Sequence, residues 1–201
     1  MQIIKVLPRR GLGSNSYILT NDLRNAVLVD CAAPTLYDGC LSLGLNPVAV
    51  VLTHGHFDHV GGCGKFYENG VPIYCGEREK NYIFSAENKS ISTKVPIPDF
   101  EIEKTFEDGE EIMLGRVKFK VMFTPGHTAG SVCYFTEKTV FTGDTLMRLA
   151  IGRTDLPTGD EKALLGSVKK LLSLETDYKV LCGHLKDTTI FYERRRCTYF
   201  N

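Results

Sequence analysis

The sequence predicts a mixed α/β fold built in layers. Short apolar runs with strand spacing recur along the chain, and two amphipathic helical stripes stand among them. Strand pairs joined by tight turns, together with strands that feed helices, imply that layered class.

Taken in order, strands are expected over Ile3 to Val6, Ser16 to Thr20 and Ala26 to Asp30. A helix should follow, because Leu36, Cys40 and Leu43 fall at i, i+4 and i+7 and share one face. Val48 to Thr53 is the next strand. The stretch from about Lys89 to Asp108 carries Pro96, Pro98 and many charges, and reads as a connection between two halves. The second half repeats the grammar with strands over Val117 to Thr124, Ser131 to Phe135 and Thr139 to Thr142. Asp160 then caps a helix whose stripe is Leu164, Val168, Leu171 and Leu172, and Lys179 to Cys182 forms the last strand.

With 201 residues the chain can bury one sizeable core, so residues 1–201 are expected to form a single domain. Lys plus Arg and Asp plus Glu are 24 each, which leaves no global field to draw nucleic acid or an anionic membrane. The longest apolar run, Val48 to Leu52, is far shorter than the roughly 20 residues of a membrane span. Met1 to Val6 lacks the features of a signal peptide, and a soluble, cytoplasmic protein is expected. The seven cysteines, Cys31, Cys40, Cys63, Cys75, Cys133, Cys182 and Cys197, are odd in number and form no CxxC, as reduced, buried thiols would. Cys182 and, more weakly, Cys63 stand close enough to histidines to line a site.

The histidines are the most telling residues. All five, His54, His56, His59, His127 and His184, sit in ligand-like settings, and Asp58 and Asp144 join them. A lone histidine is usually a surface or hydrogen-bonded core residue. Four ligand-type residues within His54-Gly55-His56-Phe57-Asp58-His59, and no histidine outside these motifs, reverse that reading. His54 and His56 are two apart, so in an extended segment both project to one side and can grip one ion. Asp58 and His59 lie where the chain enters a helix and can face a second ion. The remote histidines supply a third ligand for each, and the two oxygens of Asp144 suit a bridge between ions roughly 3.5 to 4 Å apart. His54, His127, Asp144 and His184 all follow predicted strands, the edge where layered α/β folds deliver loop residues into a crevice. Gly55, Gly126, Gly143 and Gly183 adjoin ligands, as a close backbone approach requires.

With HxHxDH at residues 54–59, Thr124-Pro125-Gly126-His127, Gly143-Asp144-Thr145 and Gly183-His184, the chain resembles metallo-β-lactamase-fold proteins. The resemblance runs from Asn15-Ser16-Tyr17 and Val29-Asp30 to Gly183-His184. It implies a four-layer αβ/βα sandwich, two mixed sheets flanked by helices, with a dinuclear site at one edge. It also implies roles: His54, His56 and His127 for one metal, Asp58, His59 and His184 for the other, Asp144 bridging, and Asp30 as a buried structural aspartate. The lactamase branch commonly places cysteine where Asp144 stands, which argues against an antibiotic-degrading enzyme. Ile151-Gly152-Arg153-Thr154-Asp155-Leu156-Pro157 resembles instead the short glyoxalase II-like hydrolases, which cleave thioesters such as S-lactoylglutathione. The chain departs from that pattern at Leu185-Lys186, where Gly-Pro is commoner, and in ending without the further helices that help bind glutathione.

The expected function is therefore a dinuclear hydrolase using two divalent ions, zinc or else iron or manganese, on a small-molecule thioester. A bridging hydroxide would attack the acyl carbon, with Asp58 orienting it or taking its proton. No histidine is left over to protonate a leaving group, and a thiolate scarcely needs one. Two alternatives stand beside it: a mononuclear iron persulfide dioxygenase using His54, His127 and Asp144, and a metal-binding module without catalysis. Arg153 and Lys186, with Arg148, are candidates to meet a substrate carboxylate, against the plainer reading of surface charge or an internal ion pair. Arg194-Arg195-Arg196 reads as a solvated face, and Tyr192, Tyr199 and Phe200 as packing for a terminal segment.

Overall fold

The computed structural model describes residues 1–8, 13–92, 96–196 and 199, so Cys197 and Phe200 lie outside the described residues. Six strands form the first sheet, in the order β1 (Gln2–Val6), β2 (Ser16–Thr20), β3 (Asn25–Val29), β4 (Asn46–Leu52), β5 (Ile73–Gly76) and β6 (Lys104–Phe106). β1, β2 and β3 are antiparallel neighbours, whereas β3 through β6 run parallel. Parallel neighbours need crossovers, and helices supply them. α1 (Thr35–Ser42) joins β3 to β4, α2 (Phe57–Val60) and α3 (Cys63–Glu68) join β4 to β5, and α4 (Lys80–Ile83) and α5 (Ala86–Ile91) join β5 to β6.

The second sheet contains β7 (Glu111–Leu114), β8 (Val117–Phe123), β9 (Val132–Phe135) and β10 (Thr139–Gly143) as an antiparallel meander. A small hairpin, β11 (Leu146–Met147) with β12 (Ala150–Ile151), and α6 (Glu161–Leu172) then lead to β13 (Lys179–Cys182), parallel to β10. β14 (Thr188–Thr189) closes that edge, and α7 (Ile190–Arg196) follows. The fold is thus two mixed sheets flanked by helices, as the family resemblance implies.

Residue alternation explains the layers. Val27, Val29, Ala49 and Val51 pack against Phe119, Val121, Tyr134 and Phe141 of the other sheet. Their neighbours Ala26, Leu28, Val50 and Leu52 face Leu36, Cys40, Phe66 and Ile83 on the helical side. A strand covered on both faces must be apolar at every position, which is why β4 reads as a continuous run. On the far side, Leu164, Val168 and Leu171 of α6 are fully buried against Cys133, Val140 and Val180. Each such side chain stabilises the fold by about 1.5–3 kcal/mol. Asp160 caps α6 as expected, accepting from the Ala163 N–H at 2.9 Å.

The structure corrects two sequence expectations and bears out a third. Leu43 is not part of the buried stripe: it lies just past α1 and is 56% exposed. The predicted connection over 89–108 holds the end of α5 and all of β6, a strand whose Lys104-Thr105-Phe106 is too short and too polar to register as a period. The six cysteines other than Cys197 are free and buried, and Cys182 serves the backbone of its own loop, its thiol donating to the His184 carbonyl at 2.7 Å. Burial pushes that thiol up to about 11. Among the described residues, no helix is long and apolar enough to cross a membrane.

Candidate metal centre

β9 is antiparallel to both β8 and β10, and β13 is parallel to β10, so the loops after β8, β10 and β13 leave from one edge. These loops carry His127, Asp144 and His184. β4 of the facing sheet ends beside them, where Val132 donates to the Thr53 carbonyl at 2.9 Å, and it delivers His54 and His56. Asp58 and His59 follow in α2.

Three groups of donor atoms result. His54, His56 and His127 offer one atom each within 4.8 Å of one another, as do Asp58, His59 and His184, and as do His54, His59 and Asp144. Asp144 touches both histidine sets: Oδ2 is 3.5 Å from His127 Nε2 and 3.4 Å from His184 Nε2, while Oδ1 is 3.5 Å from His59 Nε2. Asp58 Oδ2 lies 3.1 Å from His184 Nε2. The set His54, His127 and Asp144 is therefore not isolated, since four more ligand-type side chains crowd it.

The donor atoms fit a cation. His54 Nε2, His59 Nε2 and Asp144 Oδ1 are buried without a hydrogen-bond partner, a costly state unless something positive meets them. The opposite nitrogens are already engaged. His59 Nδ1 donates to Asp30 Oδ2 at 2.8 Å and His127 Nδ1 to the Arg153 carbonyl at 2.8 Å. Thr53 Oγ1 donates to Asp30 and so accepts from His54 Nδ1 at 3.1 Å. Each of these contacts fixes the proton on Nδ1 and leaves the Nε2 lone pair of the neutral ring for the centre. His56 is reversed: Nε2 meets the Tyr82 hydroxyl at 3.2 Å, and Nδ1 faces His127 Nε2 at 2.9 Å, where two lone pairs repel unless a cation or proton stands between them.

Electrostatics divide the cluster. Burial, reinforced by neighbouring imidazoles, holds His54 well below the usual histidine range and His56 at about 3, and burial lowers His127 too. These rings stay neutral, the form that ligates metal. Burial opposes charge on His59 as well, but Asp30, Asp58 and Asp144 outweigh it and raise that ring well above 6.5. Hydrogen bonds to Asp144 and Asp58 likewise overcome burial at His184, which reaches about 9. Asp144 itself is driven well below the carboxylate range, because His59 and His184 overcome its desolvation. Without metal, protons balance the carboxylates here, and a cation would displace them.

A model of the metallo-beta-lactamase superfamily matches residues 9–184. The chain belongs to the metallo-β-lactamase superfamily. It is 31% identical to the hydroxyacylglutathione hydrolase GloC of Haemophilus influenzae, with 98% of each chain covered. It is also similar to the solved structure of BLEG-1, a B3 metallo-β-lactamase, at 30% identity and a TM-score of 0.86 over 100% of both chains. The di-iron-bound form of TTHA1623 matches at 30% identity and a TM-score of 0.83, covering 99% of this chain and 100% of that one.

Close backbone packing surrounds this metallo-β-lactamase-fold centre. A Cβ on Gly183 would run into Asp144 Oδ1 and would lie 2.6 Å from His59 Cε1. Gly126 has φ +134°, and a Cβ there would overlap the backbone of Leu164 in α6. Gly126→Ala is therefore expected to cost about 3 kcal/mol through overpacking and backbone strain. Urea denaturation would check this; a change under 1 kcal/mol would show that α6 yields freely.

The candidate substrate cations fare differently from the ligands. Arg153 turns its guanidinium outward and pairs Nε and Nη2 with the two Asp155 oxygens at 2.6 Å, so only its carbonyl reaches the centre. Arg148 lies over the Tyr192 ring at 4.9 Å and donates to the Asp187 carbonyl. Lys186 is exposed two residues after His184. Arg194, Arg195 and Arg196 are exposed, as a solvated face would be, with Arg194 over the Phe191 ring and Arg196 over that of Tyr192; Tyr199, expected to pack the terminal segment, is 44% exposed. Sequence reasoning missed Glu79, Tyr82 and Asn88, all buried close behind the centre.

Proposed function

We propose that this chain is a metal-dependent hydrolase that cleaves thioesters of the hydroxyacylglutathione type. His54, His56 and His127 would hold one divalent ion and Asp58, His59 and His184 a second, with Asp144 shared; zinc is the first choice and iron or manganese the others. The observation that carries this reading is the Asp144 carboxylate, which contacts members of both histidine sets. The likeness to GloC over nearly the whole of both chains supports the thioester assignment. When bound, such ions lower the pKa of water to about 7 and polarise a carbonyl oxygen.

The chain's own residues set the rest. His54, His56, His59 and His127 are at most 4% exposed, whereas the side chains of Asp58 and His184 are 17% and 34% exposed. Substrate would then approach on the Asp58 and His184 side, where Asp58 would orient a water and take its proton and the exposed Lys186 would meet a carboxylate. All five histidines lie in the ligand cluster, so no imidazole remains as a general acid. A thiolate, whose conjugate acid has a pKa of about 8.5, leaves without one.

Metal-loaded protein should release thiol from S-lactoylglutathione or a related acyl-thioester, lose that activity to a chelator and regain it with zinc. Full loading with no turnover across such a panel would overturn the proposal. The full-length likeness to a B3 lactamase favours β-lactam hydrolysis as a second reading. Faster opening of a chromogenic cephalosporin than of any thioester would put that reading first.

A further inference from the structure

Apart from Asp30, which contacts His59 and is linked through Thr53 Oγ1 to His54 Nδ1, the two histidine sets are held from different parts of the chain. Behind the first set, the peptide of Gly55, between His54 and His56, is gripped on both sides by buried side chains. Glu79 Oε1 accepts its N–H at 2.7 Å, and Asn88 Nδ2 donates to its carbonyl at 2.7 Å. Glu79 reaches the His127 loop as well, accepting from Thr128 Oγ1 at 2.9 Å and from the Gly130 N–H. Both side chains are 0% exposed, and Asn88 is fixed in turn by Ser85, which caps α5 through the Asn88 N–H at 3.1 Å. Gly55 has no room to drift, since a Cβ there would lie 2.5 Å from Ile83 Cγ1.

The second set is anchored elsewhere. His59 Nδ1 rests on Asp30, and the His59 carbonyl accepts from the Cys31 N–H at 2.7 Å. The Asp58 carbonyl accepts from both the N–H and the hydroxyl of Ser14, and the Gly183 carbonyl from the Asn15 N–H at 2.6 Å. These supports come from the loops around β2 and β3, not from residues 77–91.

We propose that Glu79 and Asn88 are positioning residues that set the His54, His56 and His127 subsite independently of the Asp58, His59 and His184 subsite. The inference rests on the metal-binding reading above. It follows from hydrogen-bond chemistry: donors from both loops converge on the Glu79 carboxylate, Gly55 on Oε1 and Thr128 on Oε2, and a glutamine amide can accept on only one side, so Glu79→Gln must turn an NH2 group toward a donor of one loop or the other. Either loop of the first subsite then shifts, while Asp30 and Ser14 keep their bonds.

With only five histidines, the chain gives five imidazoles to follow by long-range proton–nitrogen NMR during titration with zinc chloride. In the parent, all five rings should respond. In Glu79→Gln and in Asn88→Ala, His59 and His184 should respond at the parent's zinc concentration, whereas His56 and His127 should need roughly 10–100-fold more. Glu87→Gln, on the exposed side of α5, should behave as the parent. Parallel weakening of both sets in folded Asn88→Ala protein, or no weakening in either variant, would overturn the inference. Parent rings indifferent to zinc would instead overturn the metal reading beneath it.

Discussion

Under the proposed thioesterase function, Asp144→Ala is expected to lower kcat/KM by about a thousandfold, through loss of the carboxylate that the two proposed metal subsites would share. Asp144 leaves β10 immediately after Gly143, whose φ of +48° turns the chain toward Thr53 and the facing sheet. Its Oδ1 has no hydrogen-bond partner and its Oδ2 stands between His127 and His184, so no other side chain performs its connecting role. Removing it takes away an anion that both His59 and His184 face, and metal content should fall below two ions per chain. The backbone around it keeps its bonds, since Gly183 still donates to the Gly143 carbonyl at 2.8 Å. The variant should therefore fold and fail in chemistry. Elemental analysis alongside thiol release would test this; two retained ions with activity within tenfold of the parent would remove Asp144 from the shared position.

What the sequence reveals of this centre depends on how far each interaction reaches. HxHxDH is legible because its members sit on one continuous turn after an unmistakable apolar strand, Val48 to Leu52. His127, Asp144 and His184 are legible because each ends a strand whose apolar pattern is itself visible. Glu79 is not: Glu77-Arg78-Glu79-Lys80 reads as a solvated charge run, and only the fold shows its third member buried and bonded to Gly55, 24 positions away. Asn88 and Tyr82 are hidden for the same reason, lying in helices of six and four residues that are too short to display a face. For Arg153 the sequence leaves substrate contact and an internal ion pair equally open. Its place beside a metal motif suggests substrate contact, while Asp155, two residues on, binds the guanidinium at the surface. Burial and long-range hydrogen bonding decide these cases, and neither is a local property.

Asp30 offers the sharpest test of how structure sets chemistry, because two substitutions should separate its tasks. It is 1% exposed, has φ +57°, and accepts from the Thr53 N–H at 2.7 Å, Thr53 Oγ1 at 2.8 Å and His59 Nδ1 at 2.8 Å. Asp30→Ala orphans all three donors and removes the partner of a buried imidazole, which should cost about 4 kcal/mol. That is a large part of the roughly 5–15 kcal/mol that holds a typical domain together. Asp30→Asn keeps an oxygen for the Thr53 N–H, and the threonine hydroxyl can turn to accept from the new amide, so about half that loss is expected. The same amide faces His59 Nδ1 with a hydrogen, forcing the ring's proton to Nε2 and spending the lone pair aimed at the centre. Zinc affinity at His59 should then fall roughly 10–100-fold even where folding survives. The pH dependence has a defined sign. Because Asp30 and its neighbours raise His59 well above 6.5, the parent's advantage in metal-free protein should be complete below pH 6.5 and shrink as pH climbs through the raised value. Urea denaturation of metal-free protein at several pH values, paired with zinc competition, reads both effects. An Asp30→Asn variant that binds zinc like the parent would show that something other than this carboxylate fixes the His59 tautomer.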